Sequence, residues 1–302
     1  LLAYEVDDRL GNRIPAFRRN QYIMGYRRSA LGVAAGPRVA VEAAPIDALR
    51  FIAAYGEGYR SPQARLLADG EPAPFTKVRS ADVGARLTLP DDALVLSVSG
   101  FFTRLSDDVV FEAEEGRLER VGATRRLGVT GHATSRPLDW LTTAASLTYV
   151  NAVLLEPPAA TVEEPNPAFE EGQALPFVPP WVFRLDVGAD HPLGRTRHSR
   201  TLQGRLGAGL EVIGSRPLPF DQRADAFALL DASARLRFVF DDAGRSVDIG
   251  VELANALGAE YAASEYYFSS NWERESAATR VPARHTAAGA PRSVMLTVGV
   301  GL

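Results

Sequence analysis

The sequence predicts an all-β chain, an antiparallel up-and-down transmembrane β-barrel with about twelve strands. Three observations carry that prediction. Apolar and polar residues alternate with period two through nearly every regular stretch, so each strand would present one greasy face and one polar face. Connections alternate between short and long, as in a barrel that crosses a bilayer with tight turns on one side and large loops on the other. The polar face repeatedly carries Arg, Asp and Glu among glycines, which suits a wet or plugged lumen. A soluble sandwich would instead combine Greek-key connections with loops of mixed length.

Each element follows from that pattern. Leu1 to Val6 reads as the end of a strand, and 7–28, rich in Arg and Asn, as a loop. Val39, Val41 and Ala43 then alternate with Arg38, Ala40 and Glu42, and Pro45-Ile46-Asp47 makes a tight turn. Leu49, Phe51, Ala53 and Tyr55 form the apolar face of the next strand. Ala81, Val83, Ala85 and Leu87 do the same after a proline-containing loop at 59–76. Pro90-Asp91-Asp92 turns the chain into a strand bearing Leu94, Leu96, Val98 and Phe102, and 105–120 reads as a long loop. Leu127, Val129 and Ala133 face away from Thr130, His132 and Thr134. A turn at Pro137 leads to Ala145, Leu147 and Tyr149. The acidic, proline-rich 155–179 is the next long loop. Leu185 and Val187 precede a short turn near Pro192, and Leu206, Leu210 and Val212 precede a loop at 214–226. Leu230 to Phe240 and Val247 to Leu253 flank a short turn at Asp242. The last long loop covers 258–290. The final strand places Val294, Leu296, Val298, Val300 and Leu302 on one side and Ser293, Thr297, Gly299 and Gly301 on the other. Aromatics mark both borders of the expected membrane band: Trp140, Phe238 and Phe240 near short turns, Tyr149 and Trp181 toward long loops.

Composition excludes other classes. No stretch approaches the roughly 18 consecutive apolar residues of a membrane helix. Mean hydropathy is −0.07, which alternating strands produce as readily as a soluble protein does. A net charge of −4 argues against a nucleic-acid partner. The absence of cysteine removes disulfide frameworks and thiolate metal sites. The opening Leu1-Leu2-Ala3-Tyr4 has no charged segment before an apolar core, so no signal peptide is visible. The chain reads as the later part of a longer protein.

Three segments carry a family resemblance. Tyr55-Gly56-Glu57-Gly58-Tyr59-Arg60-Ser61-Pro62-Gln63 resembles a strand end of the TonB-dependent outer-membrane receptors. Val251 to Tyr261, with Asn255 at its centre, is similar to their penultimate strand. Gly289-Ala290-Pro291-Arg292-Ser293 is similar to the entry to their last strand. The segments lie in family order. The resemblance implies the C-terminal half of a barrel of about 22 strands, with residues 1–302 forming part of one barrel domain and no plug domain or TonB box in this chain. The family's usual terminal aromatic is replaced by Leu302. The resemblance further implies a Gram-negative outer-membrane protein in contact with outer-membrane lipid. It would take up a scarce extracellular solute, a ferric siderophore in the first instance, with energy from the TonB complex delivered through the plug.

The residues themselves offer no catalytic constellation, so the reading is a transporter and not an enzyme. His132, His191, His198 and His285 lack metal-ligand spacing and read as solvated positions, and no cofactor is expected. His132 with Ser97 or Ser146 is a formal hydrolase pair without an orienting third group. The last long loop holds Tyr266, Tyr267 and Trp272 with Arg274 and Arg280, a composition suited to an aryl, anionic ligand such as a ferric chelate. The same aromatics could equally pack that loop against its neighbours. Arg60 reads as structural. A self-contained channel or outer-membrane enzyme of about twelve strands is the alternative, and a soluble β-protein the third reading.

Overall fold

The computed structural model describes residues 4–7, 27–30, 35–60, 76–112, 117–157, 169–195, 201–240, 245–271 and 280–301. Two short strands come first, β1 (Tyr4–Asp7) and β2 (Arg27–Ala30), paired with each other. The strands that follow are β3 (Arg38–Ile46), β4 (Leu49–Arg60), β5 (Thr76–Thr88), β6 (Leu94–Glu112), β7 (Arg117–Leu138), β8 (Leu141–Glu156), β9 (Trp181–Arg195) and β10 (Thr201–Ile213). After them come β11 (Arg216–Pro217), β12 (Arg223–Ala224), β13 (Phe227–Val239), β14 (Ser246–Ala254), β15 (Ala262–Asn271), β16 (Arg280–Ala288) and β17 (Ser293–Gly301). Eleven of them form one antiparallel meander, in the order β17-β14-β13-β10-β9-β8-β7-β6-β5-β4-β3. The sheet is open: β3 and β17 are its edges, and they are not paired with each other.

Alternation sorts the side chains as the sequence predicts. One cross-strand row runs Ala53, Val83, Gly100, Val129, Tyr149, Trp181 over β4 to β9. Across β13, β14 and β17 another runs Leu236, Ile249, Val298. These rows face outward. Val83 is 66% exposed, and Leu296 and Val298 are each 74% exposed. The opposite face is polar. Its central row runs Arg86, Ser97, His132, Ser146, Arg184, Glu211. A hollow of about 1020 Å³ is lined on this face by strands from β5 to β14, so the sheet curls around its polar side.

Four expectations need correction. First, 105–112 and 117–120, expected to belong to a long loop, continue β6 and β7. Register shifts at Leu105/Asp108 and Asp108/Val109, with Gly122 at φ 72°, invert the alternation while pairing continues. Second, β9 does not turn near Pro192 but runs to Arg195. Its pairing with β8 ends at Ala189, so Pro192 lies where only β10 flanks the strand, beside a bulge at Leu202/Gln203. Third, the loops at 258–290 and 214–226 contain the hairpins β15–β16 and β11–β12. Fourth, the strand read at the start pairs with β2 and, among the described residues, does not join the large sheet.

The main cluster of buried apolar side chains among the described residues lies at the loop end. Val110, Val121, Ala152, Leu154, Phe169 and Leu175 form a cluster on the inner side of β6, β7 and β8. The segment 169–180 covers it by running along the top of β8: Leu154 N–H donates to Gln173 O at 2.9 Å and Leu175 N–H to Ala152 O at 2.9 Å. Beside this cluster, above the exposed apolar rows, Asp108 is buried and fully satisfied. It accepts from Arg60 Nη2 at 3.1 Å, Arg126 Nη2 at 2.7 Å, Thr124 Oγ1 at 3.0 Å and Val109 N–H at 2.9 Å. Burial pushes the Asp108 carboxyl up, but the hydrogen bond and charge of Arg126, with Val109 and Thr124, outweigh it and hold the pKa below its ordinary value.

Arg60 is thus structural, as expected: it ties the end of β4 to β6. Replacing Asp108 with Ala should cost about 2–3 kcal/mol, because Arg126 and Thr124 lose their acceptor. Arg60→Ala, at the more exposed partner, should cost under about 1 kcal/mol. Thermal unfolding in detergent checks both. The folded pKa is depressed, so the Asp108 contribution is complete above the ordinary carboxylate range and is lost as pH falls through the folded value. The Asp108→Ala protein should lose that part of its acid sensitivity.

Candidate functional site

Two regions could meet a solute: the polar hollow and the loop end above it. On the inner face, several charges come in pairs. Arg184 Nη2 lies 2.7 Å from Asp186 Oδ1, and its Nη1 lies 3.5 Å from Glu211. Arg205 pairs with Asp190. These groups are about half exposed, so they contribute little to stability and mainly set the field inside the curl. His132 sits in register between Ser97 and Ser146. No hydrogen bond joins the three among the described residues, and no group of metal-ligand type gathers there either.

At the loop end, three excursions from the sheet meet. The hairpin β15–β16 carries Tyr266 and Tyr267, which as neighbours on a strand point to opposite faces. Tyr266 packs on Phe177 with ring centroids 5.5 Å apart, and Tyr267 on Phe220 at 6.1 Å. Phe177 belongs to the segment over β8, and Phe220 to the β11–β12 turn. Both hold left-handed backbone angles, φ 66° and 59°, a costly geometry for a non-glycine residue. Phe177 N–H also donates to Pro217 O at 2.9 Å, joining those two excursions. Glu265, buried in the hairpin, has Arg284 Nε 3.0 Å from its Oε1, an ion pair across β15–β16. Arg284 Nη2 reaches Arg223 O at 2.9 Å and so anchors the hairpin on β12. A cleft of about 440 Å³ lies beside this ion pair and Tyr261.

Of the candidate ligand residues, Tyr266 and Tyr267 are therefore half-buried and packed by phenylalanines. Arg280 opens β16 opposite Asn271. Trp272 and Arg274 lie outside the described residues. The sequence reading missed Phe177, Phe220 and the Glu265–Arg284 pair. The last had a legible signal, an acid and a base in one hairpin. The phenylalanines had none, because they reach the hairpin from distant segments.

At the base of the hairpin, Asn255 holds the chain as it leaves β14. At φ 48° its Oδ1 accepts from Ala259 N–H at 2.8 Å, and its Nδ2 donates to Ala259 O at 2.8 Å and to Ala290 O at 3.1 Å. One side chain thereby ties the exit from β14 to the entry of β17. Asn suits the position because it tolerates the left-handed region and has both a donor and an acceptor.

The family model described as TonB dependent receptor-like, beta-barrel matches residues 5–256. No curated protein matches. Among solved structures, the chain is similar to BauA, the ferric preacinetobactin receptor from Acinetobacter baumannii. Identity is 18% and the TM-score 0.62, over 93% of this chain and 38% of that one. It is similar to the siderophore receptor PiuA of Acinetobacter baumannii at 14% identity and TM-score 0.66, over 92% of this chain and 37% of that one. It is also similar to the ferric yersiniabactin uptake receptor FyuA from Yersinia pestis at 17% and 0.61, over 86% and 36%. At these identities the likeness is one of fold. The chain spans under two fifths of the length of each of these proteins. A match over most of its length, on a sheet with a greasy outside and a charged inside, means that the chain belongs to the TonB-dependent receptor-like β-barrel family.

Proposed function

We propose that residues 1–302 form part of the barrel wall and outer loops of a TonB-dependent receptor in a Gram-negative outer membrane. The intact protein binds a scarce solute outside the cell, a ferric siderophore by this reading, and imports it with energy from the TonB complex. The observation that carries the proposal is the outward display of Val83, Leu206, Leu296 and Val298 against an inner face of paired charges. In water that display is unfavourable by roughly 25 cal/mol per Å². In lipid it is the surface a barrel needs. The names of the similar structures, receptors for ferric chelates, support the choice of solute class. The protein acts here as a transporter and not as an enzyme.

The ligand contacts in this proposal are Tyr266, Tyr267, Trp272, Arg274 and Arg280. Aromatic faces and guanidinium groups suit an aryl, anionic chelate. The packing of Tyr266 and Tyr267 on Phe177 and Phe220 favours a site in which the ligand meets the edges of already seated rings.

Two outcomes test the reading. Val298→Arg, at the centre of the outward face of β17, should cost about 2–4 kcal/mol in bilayer refolding, while Thr297→Arg on the inner face should cost under about 1 kcal/mol. Equal costs would remove the lipid-facing assignment. Separately, intact protein in detergent should bind a ferric catecholate chelate by tryptophan-fluorescence titration. Combined Tyr266→Ala and Tyr267→Ala should weaken that binding at least about tenfold. Unchanged affinity would remove the site while leaving the fold reading intact.

A further inference from the structure

We propose that the outward face of β5, β6 and β7, just above the apolar band, is a binding site for the phosphate of an outer-leaflet lipid headgroup. The inference rests on the membrane reading above and adds a ligand to the outside of the wall. Arg79 stands directly opposite Arg104, and Arg104 directly opposite Arg125. Directly opposed residues share one face of a sheet with their Cβ atoms about 5 Å apart. Lys77, two residues before Arg79, projects from the same face.

That face is the lipid-facing one. Arg79 shares it with Ala81 and Val83, Arg104 with Phe102 and Val98, and Arg125 with Leu127 and Val129. Val83, Val98, Leu127 and Val129 are exposed. The row immediately below the arginines is Tyr55, Ala81, Phe102, Leu127. The cations therefore stand one step beyond the last apolar row, at the level where acyl chains give way to headgroups.

The local charge does not balance within the described residues. Glu57 answers both Lys77, at 2.6 Å, and Arg79, at 3.2 Å, and it also accepts from Tyr55 Oη at 2.9 Å. Glu156 reaches Arg104 at 3.4 Å. These two carboxylates face Lys77, Arg79, Arg104 and Arg125. Arg125 Nε is buried and has no hydrogen-bond partner among the described residues. Like charges directly opposed on a sheet repel, and a buried donor left without an acceptor is costly. An anion with several acceptor oxygens relieves the repulsion, and guanidinium groups match phosphate geometry best. A cleft of about 180 Å³ bounded by Lys77, Arg79, Arg104, Ser106 and Glu156 can admit such a group. The Arg79 and Arg104 side chains, 49% and 44% exposed, are open to it. A lipid is favoured over a free anion because its chains would run down the exposed rows beneath its own phosphate.

The test uses the intact protein, delipidated in detergent and mixed with lipid A or with lipid A stripped of its phosphates. Native mass spectrometry reads the lipid retained. Lipid A should be retained at least about tenfold more tightly than the stripped form. Arg104→Gln with Arg125→Gln should reduce that preference to under about threefold, and Arg205→Gln on the inner face should leave it unchanged. Equal retention of the two lipids by the unaltered protein overturns the proposal, whether or not the variants fold. An undiminished preference in the double variant does the same. Complete displacement of lipid A by millimolar inorganic phosphate would assign the site to a free anion and overturn the lipid. Flotation with phosphatidylcholine vesicles separates the two readings. A protein that floats without preferring phosphorylated lipid sinks this site alone, and one that does not float sinks the membrane reading with it.

Discussion

Everything in this molecule depends on an unbroken antiparallel register through the middle of the sheet. Because side chains alternate with period two, a slip of one residue would carry every apolar side chain to the wrong face. The register irregularities lie near strand ends. Those at Ala43/Ile46 and Ser135/Leu138 sit by short turns, and those at Leu105/Asp108 and Ala123/Thr124 sit toward the loops. Between them, pairing from Leu94–Ser135 to Leu105–Thr124 runs without interruption. Bulges where strands leave the band bend and twist the sheet without disturbing which face is greasy.

That arrangement inverts the usual energetics of a globular domain. Large apolar side chains of β17 and its neighbours point outward, and the main buried apolar cluster among the described residues gathers around Leu154 and Val121. Cohesion comes from the ladder itself, whose polar groups must be satisfied within the protein wherever water is absent. The exposed ion pairs of the inner face add little. The Asp108 cluster is of another kind, because its carboxylate is out of water and every bond to it replaces lost hydration. It stands where β6 and β7 pass their bulges and need another constraint.

How far the sequence disclosed this follows from surroundings. Val294, Leu296, Val298 and Val300 alternate cleanly because β17 separates two different media along its whole length, and such strands were legible. The upper parts of β6 and β7 were not, because bulges at Asp108 and Gly122 break the parity on which period-two reading relies. The hairpin β15–β16 escaped for a different reason. Ala262 to Asn271 shows no sustained alternation of apolar and polar residues, so a period of two does not mark it. Tyr266 and Tyr267 stood out by composition. Their partners Phe177 and Phe220 did not, since long-range packing leaves no trace in local spacing. Glu265 and Arg284 could have been suspected as opposite charges placed diagonally across a hairpin.

The packing at the loop end has a consequence for any ligand that touches β15–β16. Tyr266 lies on Phe177, and Phe177 packs against the cluster that contains Leu154, Val121 and Val110. Val110 is two residues from Asp108, which is bound to Arg60 of β4 and Arg126 of β7. Contacts thus run from the hairpin to the top of β4, the last of them through the partly exposed Arg60 side chain. The left-handed φ of Phe177 and of Phe220 each represents about 1–3 kcal/mol held in place by these contacts. A ligand that displaced Tyr266 would release part of that cost and expose the inner cluster, whereas one that met the ring edge would leave both intact. The second course requires no change at Asp108, and the density of bonds around that carboxylate makes it the favoured one.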